Sequence, residues 1–182
     1  WPQPAPSDDS MSRRFDVAHL TPQAHALFAR QHGAASPRQL VEAGMTRRQI
    51  RHLQQSGDLE STLRGAYRTP SAPTTELARC AAVCLARSET AIAGPTAGRL
   101  WGLRRMPPDH RVHVIAPRAS NPAIAPWVVP YRTDARHDHD IVERHDGIRV
   151  TSRARTVFDL ARWLKPDDLL SVIEQAARDG NL

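Results

Sequence analysis

A chain of 182 residues with 40% hydrophobic side chains is long enough for one medium domain or two small ones and apolar enough for a core, which excludes wholesale disorder. The net charge of +6 is carried almost wholly by arginine, Lys165 being the only lysine, and this favours a polyanionic partner. No run approaches the ~20 apolar residues that cross a bilayer, and the opening Trp1-Pro-Gln-Pro-Ala-Pro-Ser-Asp-Asp-Ser10 lacks the apolar centre of a signal peptide, so a cytoplasmic location is expected.

Residues 1–20 read as a disordered leader, with Met11 an alternative start. Thr21 then caps a helix with Pro22 in its first turn, in which Ala24, Leu27, Phe28 and Gln31 share a face up to His32-Gly33. Ser36-Pro37 repeats the start signal for a second helix, with Leu40 and Val41 facing inward and Gly44 ending it. Thr46 opens a third helix that runs to Ser56 and stops at Gly57. Gln49 completes a capping box there, and Met45 and Ile50 are spaced as a hydrophobic staple. Two short strands, 59–63 and 66–68, meet at Arg64-Gly65. Three helices and a hairpin in this order spell a winged helix-turn-helix over residues 21–71, with Pro70-Ser71-Ala72-Pro73 as the linker.

Residues 72–182 mix helix and strand. A long helix from Thr74 or Thr75 to Arg87 puts Leu77, Cys80, Ala81, Cys84 and Leu85 on one core stripe, so the two cysteines read as buried thiols. A short apolar turn surrounds Trp101, strands cover 112–115 and 128–131, and Asp146-Gly147 joins a hairpin of 141–142 with 148–150. Ser152 caps a helix to about Leu164, and Lys165-Pro166-Asp167 opens another to about Arg178. The fold class expected is α+β: an N-terminal winged helix-turn-helix followed by a mixed α/β domain.

The charge is uneven. Residues 11–70 hold nine arginines against four acids (Asp16, Glu42, Asp58, Glu60), whereas 71–182 hold sixteen basic residues against thirteen acids. On the third helix only Ile50 and Leu53 look inward, and the remaining residues are largely Arg, Gln and His, which reach phosphates and base edges. The candidate DNA-binding residues are Arg47, Arg48, Arg51, His52 and Gln55 on that helix, Thr46 at its start, Arg38 on the preceding one, and Arg64 and Arg68 on or beside the hairpin. Such a patch makes binding strongly salt-dependent.

Other chemistries find weaker support. The run His137-Asp138-His139-Asp140, with Glu143, His145 and Asp146 nearby, offers ligand types for a divalent cation, but alternating strand residues diverge and the run ends in a plain turn. It reads as an exposed polar loop. No Gly-x-Ser-x-Gly elbow or phosphate loop occurs, and the single lysine leaves no Glu-x-Lys pair for a metal-dependent nuclease. No cofactor, metal or catalytic set is expected, and Arg155 with Asp159 reads as a structural i,i+4 pair.

Taken in order, Gly57-Asp58-Leu59, Leu63-Arg64-Gly65-Ala66-Tyr67-Arg68 and Ala97-Gly98-Arg99-Leu100-Trp101-Gly102-Leu103 lead to Val112-His113-Val114-Ile115-Ala116-Pro117-Arg118, then Asp146-Gly147-Ile148-Arg149-Val150-Thr151-Ser152 and Arg155-Thr156-Val157-Phe158-Asp159-Leu160. This set resembles the AbiE-type (AbiEi) antitoxin family of type IV toxin–antitoxin systems, in its actinobacterial form. The resemblance implies a winged helix that binds double-stranded operator DNA and represses its own operon, and an α/β domain that supports autoregulation or counteracts a nucleotidyltransferase-like toxin; a regulator that acts without catalysis is expected. Similar chains often continue into a Vsr-like endonuclease domain, so the DNA-recognition part of such an enzyme stays open, as does a pure protein-interaction module. A homodimer suits a regulator that reads palindromes, but no segment of the sequence marks an interface.

Overall fold

The computed structural model describes residues 19–120, 125–135 and 137–180. Most of the expected leader, residues 1–18, therefore lies outside the described residues, while Leu20 packs against the first helical cluster.

The elements run α1 (Pro22–Arg30), β1 (Ala34–Ala35), α2 (Pro37–Glu42), α3 (Arg47–Ser56), β2 (Glu60–Leu63), β3 (Ala66–Arg68), α4 (Glu76–Ala86), β4 (Ala91–Ile92), α5 (Gly94–Leu100), β5 (Val112–Ala116), β6 (Val128–Arg132), β7 (Ile141–Glu143), β8 (Arg149–Thr151), α6 (Arg153–Leu160) and α7 (Pro166–Arg178). Thr21, Ser36 and Thr46 each accept an N–H from the first turn of the helix they precede, which is why all three begin where the sequence places them. Ser36 with Gln39 forms a second complete capping box. Ala24, Leu27, Phe28, Ala35, Leu40, Met45, Ile50, Leu53 and Leu59 close the core of the helical trio.

The β2–β3 hairpin is antiparallel, and β1 adds to its other edge in the order β1-β3-β2. The larger sheet has the order β6-β5-β4-β8-β7: β4 runs parallel to β8 and antiparallel to β5, β5 is parallel to β6, and β7–β8 is the expected hairpin. Between the two sheets lies α4. Five consecutive residues, Cys80 to Cys84, are buried, because an apolar cluster continues from Ala34, Leu63 and Ala66 through α4 to Ile92, Val112, Val114, Ile148 and Val150. The sequence suggests a single stripe there; a helix covered on opposite sides is apolar around most of its girth. Burial raises both thiols, Cys84 to about 11, so they stay protonated and inert.

A polar tie joins the N-terminal helices to the larger sheet's hairpin: His32 Nε2 lies 2.9 Å from Asp146 Oδ2, and the same carboxylate takes Arg144 Nη2 at 3.2 Å. Burial raises the Asp146 pKa, but the hydrogen bonds from His32, Arg144 and the Ile148 N–H outweigh it and hold the group below the usual carboxylate value. A carboxyl lowered on folding stabilises the fold above its unfolded pKa of about 3.9, and that contribution disappears as pH falls through the folded value. Urea midpoints are thus expected to drop below about pH 4, with a shallower acid limb in Asp146→Asn; identical limbs would show that the tie contributes nothing.

The loop expected at 137–140 is only partly exposed. Asp138–Asp140 form a 3-10 turn, and the His137 and His139 rings stack 5.4 Å apart. Asp140 turns inward to receive Arg155 Nη1 at 2.8 Å, while Arg155 Nε also holds Asp159 at 3.1 Å. Among the described residues no His, Cys, Asp and Glu side chains gather as a metal set. No helix among them is long and apolar enough to cross a membrane.

Candidate nucleic-acid interface

Helix α3 presents its polar side because its two ends are fixed. Gln49 Oε1 accepts the Thr46 N–H at 2.8 Å, Thr46 Oγ1 accepts the Gln49 N–H at 3.2 Å, and Gly57 closes the helix at φ 84°. Ile50 and Leu53 are buried, which turns Arg48, Arg51, His52 and Gln55 away from the core on the opposite arc of the helix. Thr46 is consumed by the cap. Thr46→Ala is therefore expected to cost ~1 kcal/mol of stability and to weaken nucleic-acid binding only through fraying of the first turn, as thermal melts and binding isotherms of the variant would show.

Between α2 and α3 runs a groove of about 640 Å³, lined by Pro37, Arg38, Val41, Glu42, Arg47, Ile50, Arg51, Gln54 and Tyr67. Arg38, Arg47 and Arg51 thus share one concavity, while Arg48, His52 and Gln55 are exposed on α3 but do not line it. Val41, expected inward, is 44% exposed at this groove. Only Leu40 of α2 is buried, since adjacent residues point about 100° apart on a helix and this one is covered on one side. Gln54, which the sequence reading passes over, joins the groove, and its spacing of seven from Arg47 is the signal that would have placed it.

The ion pairs separate the arginines into two groups. In the C-terminal half, Arg99 binds Glu76, Arg105 approaches Asp168, Arg111 binds Asp109, Arg144 binds Asp146 and Arg155 binds Asp140 and Asp159. Arg104 and Arg149 donate to backbone carbonyls. By contrast, Arg47, Arg48, Arg51 and Arg64 are exposed and are in no ion pair among the described residues. Arg47 and Arg48 also stand in the first turn of α3, which holds no acid. Cations there oppose the helix dipole, a local cost that a bound anion would reverse.

Besides Thr46, two of the candidate arginines are engaged within the chain. Arg38 donates to Glu42 at 2.7 Å across one exposed turn. Arg68 donates to the Thr74 hydroxyl and the Pro70 carbonyl, and its Nε approaches Glu60 to 3.1 Å without hydrogen-bond alignment; 24% of the side chain is exposed. Arg64, at the hairpin turn, is in no hydrogen bond or ion pair among the described residues.

Residues 23–70 match the family model described as transcriptional regulator, AbiEi antitoxin. The matched segment holds α1 to β3, the helical trio and its hairpin, in agreement with the resemblance read from the motifs. The AbiEi name describes regulators rather than a class of enzyme. Among solved structures, the RV2827C protein from Mycobacterium tuberculosis is similar at a TM-score of 0.47 and 19% identity, over 85% of this chain and 69% of that one. No curated protein matches the chain.

Proposed function

We propose that this chain is a double-stranded-DNA-binding transcriptional regulator of the antitoxin kind, which represses its own promoter in the cytoplasm and acts without catalysis. The observation that carries the reading is the clustering of Arg47, Arg48, Arg51 and Arg64 on α3 and the hairpin turn, exposed and in no ion pair among the described residues, while most arginines of residues 72–180 hold carboxylates, carbonyls or aromatic rings. Arg48, Arg51 and Gln55 face base edges in a major groove, with His52 beside them. Arg47 and Arg38 lie toward the phosphates flanking the groove between α2 and α3, and Arg64 takes adjacent backbone. Arg68 supports this arrangement by tying the hairpin to the chain that follows it.

The cognate partner in this reading is a nucleotidyltransferase-like toxin, with the C-terminal half opposing it. Two measurements test the proposal. The purified chain should shift duplexes of its own upstream region in preference to unrelated duplexes, and co-expression with the product of the adjacent gene should relieve growth arrest. Failure to bind duplex DNA at low salt would overturn the regulator reading; binding without relief would overturn the antitoxin part.

A further inference from the structure

The groove between α2 and α3 has features that a duplex does not use. Val41, Ile50 and Tyr67 line it with apolar surface, and Arg38, Arg47 and Arg51 stand around them against the single carboxylate of Glu42. Arg38 already holds Glu42, so the α3 rim keeps two uncompensated cations. Arg47 and Arg51 stand one turn apart on that rim, exposed and in no ion pair among the described residues, and like charges at this spacing repel. Val41 is the one large apolar side chain left exposed among the described residues before Pro70.

The groove also faces sideways. Arg47 and Gln54 lie three residues before and four after Ile50, on the flank of α3 that turns toward α2. Arg48, His52 and Gln55 lie on the arc opposite the core, outside the groove. A duplex seated on that arc brings phosphates to the rim but no apolar group to Val41 and Tyr67. From Arg47 to Gln54 the α3 side of the groove measures about 10 Å, the length of two helical turns. An amphipathic helix laid in such a groove supplies apolar side chains at i, i+3, i+4 and i+7, and acids on its flank meet the arginine rim. We infer that this groove docks an acidic amphipathic helix of a partner protein, and that docking takes Arg47 and Arg51 from DNA and so releases the promoter. The docking stands on the groove alone; the release rests on the regulator reading.

The probe is a capped synthetic peptide of about four helical turns, with Leu at i, i+3, i+4 and i+7 and Glu beside them. Its control has the same composition with the leucines scattered around the helix. Fluorescence anisotropy with the full chain at low salt and without DNA is expected to show saturable binding of the amphipathic peptide, and binding of the control about tenfold weaker or less. Val41→Ser, at an exposed position and checked by circular dichroism for an unchanged fold, should weaken the amphipathic peptide about tenfold while leaving duplex affinity unchanged. Arg47→Ala/Arg51→Ala should weaken peptide and duplex alike. Excess peptide should displace a bound duplex from the wild-type chain. No saturable binding, or equal affinity for the two peptides, would overturn the docking and leave the groove a seat for phosphates. So would an amphipathic peptide indifferent to Val41→Ser. Peptide and duplex bound together would overturn the release. A chain that binds the peptide but no duplex would sink the regulator reading and leave the docking standing.

Discussion

Replacing Arg48 or Arg51 by Ala is expected to weaken binding to the preferred duplex by ~1–3 kcal/mol each and to relax base preference at one position of the site. Both side chains project from α3 on the arc opposite Ile50 and Leu53, and neither is tied to an acid among the described residues. Their removal breaks nothing inside the fold, so the folded chain should keep its stability within about 0.5 kcal/mol. Arg48→Ala also removes a cation from the first turn of α3, where the helix dipole disfavours it, so a small rise in stability is consistent. Competition among randomised duplexes separates the roles: a base-reading arginine changes which sequences win, whereas Arg64→Ala should lower all sequences alike. If both helix variants retained full affinity and preference, α3 would not be the reading element.

The second large effect concerns stability. Arg155→Ala is expected to cost ~3–5 kcal/mol, because it strands two carboxylates whose nearest cation is this guanidinium. Arg155 reaches Asp140 at 2.8 Å and Asp159 at 3.1 Å, with 12% of its side chain exposed against 12% and 5% for the acids. Its Nη1 also donates to the Ala135 carbonyl, so one side chain joins the 137–140 turn to α6. Burial already holds the Asp159 carboxyl above its usual pKa despite Arg155. Without the arginine that shift grows, the folded state binds a proton the unfolded state releases, and the variant should recover part of its loss as pH falls toward about 4. Urea unfolding at neutral and acidic pH measures both effects. A loss under 1 kcal/mol would mean that water enters and solvates the acids.

The elements legible in the sequence are those fixed by local chemistry. Thr21, Ser36 and Thr46 announce their helices because an N-cap is a contact over three residues, and Asp146-Gly147 announces its hairpin for a similar reason. Strands β1 and β4 escape because two residues hold no alternation; they exist only through pairing with β3, β5 and β8. The exposed arc of α3 is readable from two apolar positions in ten residues. The fate of Arg68 is not, since Glu60 reaches it across a hairpin and Thr74 from the following segment. The inward turn of Asp140 depends in the same way on Arg155, fifteen residues on. Nor does spacing show that Phe158 and Leu170 stay uncovered: both occupy apolar helical positions, and only the packing of α6 against α7 decides which of these meet a neighbour.

The most direct measurement is the salt dependence of duplex binding by the wild-type chain and by Arg48→Ala/Arg51→Ala. If those guanidinium groups read base edges, affinity for the preferred duplex should fall at every salt concentration, while the slope of log K against log salt, set by phosphate contacts at about 0.9 each, changes little. Superimposable lines for the two proteins would contradict the placement of α3 on the duplex.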